Sequence, residues 1–326
     1  MTSLSVKTVP SKSKFDFGEF FRRYGTAVIF LLLVVCATML SSSFLSERNI
    51  MNVLRQVSGT GIMAVGMLLV ILTRGIDLSV GSIAALGSVL SAVIVAQYST
   101  GASIAMVILA GAACGMISGV LVAYVRLQPF VMTLAMMAIA RGMALIISNG
   151  QPIMMGERGD TITDFGTSFV YGVPMPVLLM LGVFMVAALV LNFTKFGRLI
   201  KAIGSNEEAV RLSGIPVARY VLAVYAISGA LAAVAGIIST SRSGVGSATV
   251  GVGSELDVIA AVVIGGASLM GGRGSVFNTL LGVLVFGVIG NIMNLINVPG
   301  YHQQVFMGVI IVVAMLLQKG TGWLKR

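Results

Sequence analysis

Apolar stretches alternate with short polar breaks along nearly the whole of this sequence. Each stretch is about 20 residues long, the length of helix that spans the hydrocarbon core of a bilayer, whereas the strands of a membrane barrel are about half as long. Only 10% of the residues are charged, against about 25% in an average soluble domain. The pattern therefore predicts an all-α, polytopic integral membrane protein.

Ten apolar segments can be delimited, and each is predicted to be a transmembrane helix. The segments cover residues 26–45, 55–73, 79–97, 103–124, 128–148, 175–193, 220–240, 256–270, 276–296 and 303–318. On this basis, residues 1–25 form an N-terminal tail, residues 26–319 the transmembrane domain and residues 320–326 a C-terminal tail.

The distribution of lysine and arginine gives the orientation, because loops rich in these residues stay in the cytoplasm. With a cytoplasmic N-terminus, all but five of the 21 Lys and Arg residues fall on the inner side. The five others are Arg48, Arg55, Arg141, Arg158 and Arg242. We therefore expect both termini and the polar loop 194–219 to be cytoplasmic, and loop 149–174 to be outside. This bias also explains the net charge of +10 without a nucleic-acid partner.

The loop 194–219 contains a short segment with helix start and stop signals. Ser205 and Glu208 have the S-x-x-E spacing of a capping box. Gly214 followed by Pro216 is typical of a helix end. The signals predict a helix over about residues 206–213.

A helix of two turns is not stable by itself, so this one must dock against another surface. Ala209 and Leu212 would face that surface. Physical reasoning leaves two hypotheses open: a capped helix lying on the membrane, or an element that couples the membrane domain to a soluble motor.

No motif of a catalytic or metal site occurs in the sequence. A G-x-x-x-x-G-K-[ST] phosphate loop is absent, and a single histidine, His302, excludes histidine clusters. Cys36 and Cys114 both lie in apolar runs, where cysteine is a packing residue. We predict no catalytic residue, no metal and no cofactor for this chain.

A few polar residues near the predicted spans are candidates for a translocation path. Arg141 lies within the fifth span, where a cation needs water or an acid, so it either lines the path or pairs with Glu255 or Asp257. The two acids follow a Gly/Ser-rich stretch, 241–254, which is either a re-entrant segment beside the path or a flexible outer loop. Asn149, at the end of the fifth span, is the fourth candidate.

The turn between the second and third spans contains Arg74 and Asp77. An ion pair between these two residues at the helix junction is favoured over a role of Asp77 in transport.

Three stretches, residues 64–82, 202–215 and 255–275, resemble motifs of one family. They are similar, in this order, to a helix junction, the cytoplasmic coupling loop and a late glycine-rich junction of ribose-type ABC-importer permeases. The sequence reads Glu-Glu-Ala at 207–209, where the wider superfamily has Glu-Ala-Ala. The resemblance extends from about residue 48 to residue 318.

The resemblance implies a permease that imports a monosaccharide of the ribose, allose, xylose or galactose class across a bacterial inner membrane. It implies a homodimer, a periplasmic sugar-binding protein outside, and an ATPase with two nucleotide-binding halves inside, which binds ATP and Mg. The coupling contacts would come from Ser205, Asn206, Glu207, Glu208, Ala209, Arg211 and Gly214. The structural junctions would be built from Arg74, Asp77, Gly271, Gly272 and Arg273.

Two other classes of protein are weighed against this interpretation. A secondary carrier driven by an ion gradient usually keeps acids within its spans, whereas Asp77, Glu255 and Asp257 all lie at predicted span ends. An intramembrane enzyme is disfavoured because the motifs of nucleophilic and metal catalysis are absent.

Overall fold

A computed structural model describes residues 17–323 of the chain. These residues form thirteen α-helices. The helices are α1 (Phe17–Leu40), α2 (Glu47–Leu72), α3 (Val80–Val95), α4 (Thr100–Ala123), α5 (Pro129–Ser148), α6 (Asp160–Thr167), α7 (Met175–Phe193), α8 (Lys195–Ser205), α9 (Glu207–Leu212), α10 (Val217–Ser243), α11 (Ser254–Ile264), α12 (Val276–Leu295) and α13 (Gly300–Trp323).

Each of the ten predicted apolar segments overlaps one of these helices, and the chain is an all-α membrane protein. Within residues 25–310, whose side chains the structure also describes, six helices are long and apolar enough to cross a membrane: α2, α4, α5, α7, α10 and α12. Two shorter apolar helices cover residues 25–40, within α1, and α3. The number of crossings therefore stays a prediction. Helix α1 begins at Phe17, inside the predicted N-terminal tail, and residues 1–16 and 324–326 lie outside the described part.

The centre of the bundle is formed by α2, α3 and α10, whose small residues allow close packing. Gly111, Gly115 and Gly119 of α4 follow the double G-x-x-x-G pattern and lie against α10. An added Cβ at Gly115 would overlap the carbonyl oxygen of Tyr225. The pattern thus serves packing within the bundle, while α4, α5 and α7 expose apolar side chains such as Leu109, as lipid-facing helices do.

Two pairs of two-residue strands lie outside the helices. Strand β1 (Ile153–Met154) pairs antiparallel with β4 (Val245–Gly246), and β2 (Phe169–Val170) pairs with β3 (Val173–Pro174). The β1–β4 pair ties the predicted outer loop to the glycine-rich stretch that follows α10.

Candidate functional site

The predicted polar loop 194–219 contains two helices rather than one. Helix α8 precedes α9 and extends through Ser205, whose hydroxyl donates to the Lys201 carbonyl oxygen over 3.0 Å. The N-cap of α9 is Asn206, whose side-chain oxygen accepts from the backbone N–H of Ala209 over 3.0 Å. The predicted capping box of Ser205 and Glu208 is therefore wrong. Helix α8 continues to Ser205, and asparagine is as good an N-cap as serine.

Glu208 makes a different contact from the predicted one. Its carboxylate accepts two hydrogen bonds from the Arg211 guanidinium, at 3.0 Å and 2.5 Å, one helical turn away. These hydrogen bonds hold the pKa of the Glu208 carboxyl below its ordinary value. Glu207 lies 4.0 Å from Arg126, in the connection between α4 and α5. All four side chains are exposed, so the fold gains little from these pairs.

Helix α9 docks on its own chain through one residue. Val210 is buried and contacts Ile203 and Val217. Ala209 and Leu212, the predicted docking face, are exposed, and 76% of Leu212 is accessible to solvent. Gly214 has a φ of 77°, the left-handed exit expected from the sequence. The helix therefore presents an apolar side chain and several charged groups outward.

The turn between α2 and α3 does not contain the predicted ion pair. The Arg74 guanidinium instead donates to the carbonyl oxygens of Gly204 (2.6 Å), Ser205 (2.7 Å) and Met270 (3.0 Å). Gly204 and Ser205 end α8, where the helix dipole is negative and stabilises a cation. We call this contact the Arg74 junction. It brings the three motifs of the sequence together at one point.

Asp77 is fully buried and has partners of its own. Its carboxylate accepts from the backbone N–H and the hydroxyl of Ser79, at 3.1 Å and 2.5 Å, and from the hydroxyl of Ser228 on α10 at 2.8 Å. A buried carboxylate satisfied by three donors needs no cation beside it, which explains why Arg74 is free to bind the carbonyls.

The glycine turn before α12 completes the Arg74 junction. Gly271 and Gly272 have φ of 83° and 74°, and the Gly272 N–H donates to the Leu72 carbonyl oxygen over 3.0 Å. Side chains other than glycine rarely adopt these angles. Arg273 is exposed, and no side-chain hydrogen bond of Arg273 is found in residues 17–323. The two glycines therefore belong to the junction, whereas Arg273 lies at its edge.

The Gly/Ser-rich stretch is held against the bundle. Arg141 donates to the carbonyl oxygens of Ala248 (2.5 Å) and Val250 (2.7 Å), and the Ser247 N–H donates to the Ser88 hydroxyl over 3.1 Å. The hydrogen bonds of Arg141 thus go to backbone rather than to Glu255 or Asp257, and the choice between path lining and an acid pair stays a prediction. The stretch is not a free outer loop, because α3 and α5 both hold it.

A cleft of about 530 Å³ opens between α2, α11, α12 and α13. We call it the polar cleft. Its apolar lining includes Val57, Phe286 and Met307. Its polar lining consists of Gln56, Thr60, Asp257, Asn294, Gln303 and Gln304.

Only Asp257 of the four predicted path residues lines the polar cleft. Arg141 is engaged with the glycine-rich stretch, and Asn149 is exposed at the end of α5. One carboxylate oxygen of Glu255 is buried without a hydrogen-bond partner, and an added Cβ at Gly81 would lie 2.5 Å from it. The amide side chains of the cleft and Thr60 were not predicted from the sequence, because single polar residues in apolar runs have no characteristic spacing.

The lining of the polar cleft suits an uncharged solute with many hydroxyl groups. Amide side chains both donate and accept hydrogen bonds, as does the Thr60 hydroxyl. Asp257 is the single ionisable group among the lining residues. Such a surface can form hydrogen bonds with water and then with a polyol that replaces the water.

Comparisons with known proteins show similarity along most of the chain. Residues 49–315 match the family model described as "Branched-chain amino acid transport system / permease component". The chain is 42% identical to the ribose import permease protein of Haemophilus influenzae, over 96% of this chain and 98% of that protein. Identity is 41% to the ribose import permease protein of Bacillus subtilis, over 94% and 96% of the two chains. It is 37% to the D-allose transport system permease protein of Escherichia coli, over 96% and 97%. No solved structure matches this chain.

Proposed function

This chain belongs to the family of permease components of ABC importers, and we propose how its coupling helices and its polar cleft serve that activity. It is a multi-pass protein of the bacterial inner membrane, a permease subunit for a monosaccharide and not itself an enzyme. An importer of this class works with an ATPase and a periplasmic binding protein. The hypothesis of an ion-driven carrier is not favoured.

The outward face of α9 is the contact with the ATPase in this proposal. The observation that carries it is that α9 is anchored by one buried residue, Val210, and exposes Leu212 beside Glu208 and Arg211. An exposed leucine ringed by charges is typical of a protein–protein contact. The ATPase binds ATP and Mg, and its closure would displace α8 and α9 and with them the attached helices. This requires loop 194–219 and both termini to be cytoplasmic.

The sugar would pass along the polar cleft, between two copies of the permease. Leu256, Val252 and Gln304 line the cleft and are exposed at the surface of one chain. A surface that includes Asp257 is unfavourable against lipid. A two-fold pairing would enclose the two clefts in one path, and it matches an ATPase with two nucleotide-binding halves.

Uptake by the reconstituted complex tests the proposed function. The permease is placed in proteoliposomes with its ATPase, with ATP on the ATPase side and sugar-loaded binding protein on the other. Uptake of labelled D-ribose is measured, with D-allose and L-arabinose as competitors, because the relatives include permeases for all three sugars. We expect uptake that requires ATP and survives ionophores. Uptake that follows an ion gradient without ATP would contradict the proposal.

A further inference from the structure

The Arg74 junction joins elements that are far apart in the sequence. Arg74 lies two residues after the end of α2, while its three acceptors belong to the end of α8 and to the turn between α11 and α12. One planar guanidinium with five N–H donors can hold carbonyls of two segments in a fixed arrangement. Arg74 itself has a φ of 66°, an unfavourable angle for a residue with a side chain. A strained residue held by three hydrogen bonds indicates a required position.

Backbone contacts make the same connection without any side chain. An added Cβ at Gly204 would overlap the Leu72 carbonyl oxygen, which also accepts from the Gly272 N–H. An added Cβ at Gly271 would lie 2.8 Å from the Gly204 carbonyl oxygen. The turn after α2, the end of α8 and the turn after α11 are therefore packed backbone against backbone. No space remains in which one of these segments could slide past another.

The junction lies between the two proposed functional elements. On one side, Ser205 is followed by Asn206, the cap of α9. On the other side, Met270 lies six residues beyond Ile264, the end of α11. The first turn of α11 carries Asp257, which lines the polar cleft. A displacement of α9 therefore has a short, stiff route to the cleft through Arg74 and α11.

We propose that Arg74 is a positioning residue that makes the end of α8 and the turn after α11 move as one body. Movement imposed on α9 is then transmitted through the turn after α11 and along α11 to its first turn. This inference rests on the proposed function, since it presumes that the ATPase moves α9. It adds that the Arg74 side chain strengthens the backbone contacts by which the end of α8 and the turn after α11 move together.

The test measures transport and ATP hydrolysis together in the reconstituted complex. Arg74→Gln removes the cation and most of the donors, and Arg74→Lys keeps the charge but loses the planar arrangement. Arg273→Gln is the matched control, because Arg273 is an exposed arginine in the neighbouring turn. We expect Arg74→Gln to assemble with the ATPase and hydrolyse ATP, while sugar imported per ATP falls about tenfold. Arg74→Lys should give an intermediate ratio, and Arg273→Gln the unchanged one.

The other possible results of the Arg74→Gln experiment lead to different conclusions. An unchanged ratio in Arg74→Gln, or hydrolysis and uptake that fall together, would overturn the inference, because Arg74 would then serve only stability or docking. If Arg74→Gln does not reach the membrane, the ratio of Arg74→Lys decides in the same way. Failure of the proposed function is distinguishable, since the unaltered complex would then show no ATP-dependent uptake at all.

Discussion

Gly204, the penultimate residue of α8, lies directly against the carbonyl oxygen of Leu72 at the end of α2. The position has no space for even a methyl group. Gly204 is not at a positive φ, so its requirement is one of space and not of backbone angle. This contact joins the end of α8 to the end of α2, one of the helices at the centre of the bundle.

Gly204→Ala should therefore destabilise the protein by about 1–3 kcal/mol, the usual effect of overpacking. Thermal unfolding in detergent measures the effect, and uptake should fall with it. Gly182→Ala on α7 is the control, because an added Cβ there meets no atom within 4 Å. The explanation is wrong if both variants keep the stability of the unaltered protein.

Glu208→Lys should abolish uptake while leaving membrane insertion intact. The change removes the pair with Arg211 and reverses a charge on the exposed face of α9. Because both side chains are exposed, the fold itself should tolerate it. Uptake and the amount of protein in the membrane are measured together. Glu157→Lys, an exposed acid in the 149–174 loop, is the control and should transport normally. Normal transport by Glu208→Lys would contradict the assignment of α9.

Asp257→Asn should lower the maximal rate of sugar uptake by about tenfold at saturating binding protein. The amide keeps the shape of the cleft lining but loses the charge that strengthens a hydrogen bond from a sugar hydroxyl. ATP hydrolysis should continue. Asn149→Ala is the control, because Asn149 lies at the end of α5, outside the polar cleft. An unchanged rate in Asp257→Asn would place the sugar path elsewhere.

The sequence allowed the helices to be located because a bilayer demands long apolar runs. The ends of the helices were less predictable where tertiary packing decides them. Helix α11 stops at Ile264, short of the predicted residue 270, ahead of the pair Gly265–Gly266. The cap of α9 was assigned to Ser205 rather than Asn206, because the extent of the preceding α8 was not apparent from the residues.

The composition of the candidate sites was only partly predictable. Three separated motifs were identified, but their meeting at Arg74 depends on tertiary contacts between residues up to 196 positions apart. The expected pairing of Arg74 with Asp77 followed from proximity in sequence, whereas hydroxyls of Ser79 and Ser228 satisfy Asp77. The amides of the polar cleft come from three helices, and no local sequence pattern predicts them.

The central claim is that the exposed face of α9 contacts the ATPase. A photo-crosslinking amino acid at Leu212, which is 76% exposed, tests it in a complex shown to be active in uptake. The same group at Tyr171, fully exposed between β2 and β3, is the control. We predict a covalent adduct of permease and ATPase from position 212 and none from position 171. No adduct from position 212, or equal capture from both positions, would contradict the claim.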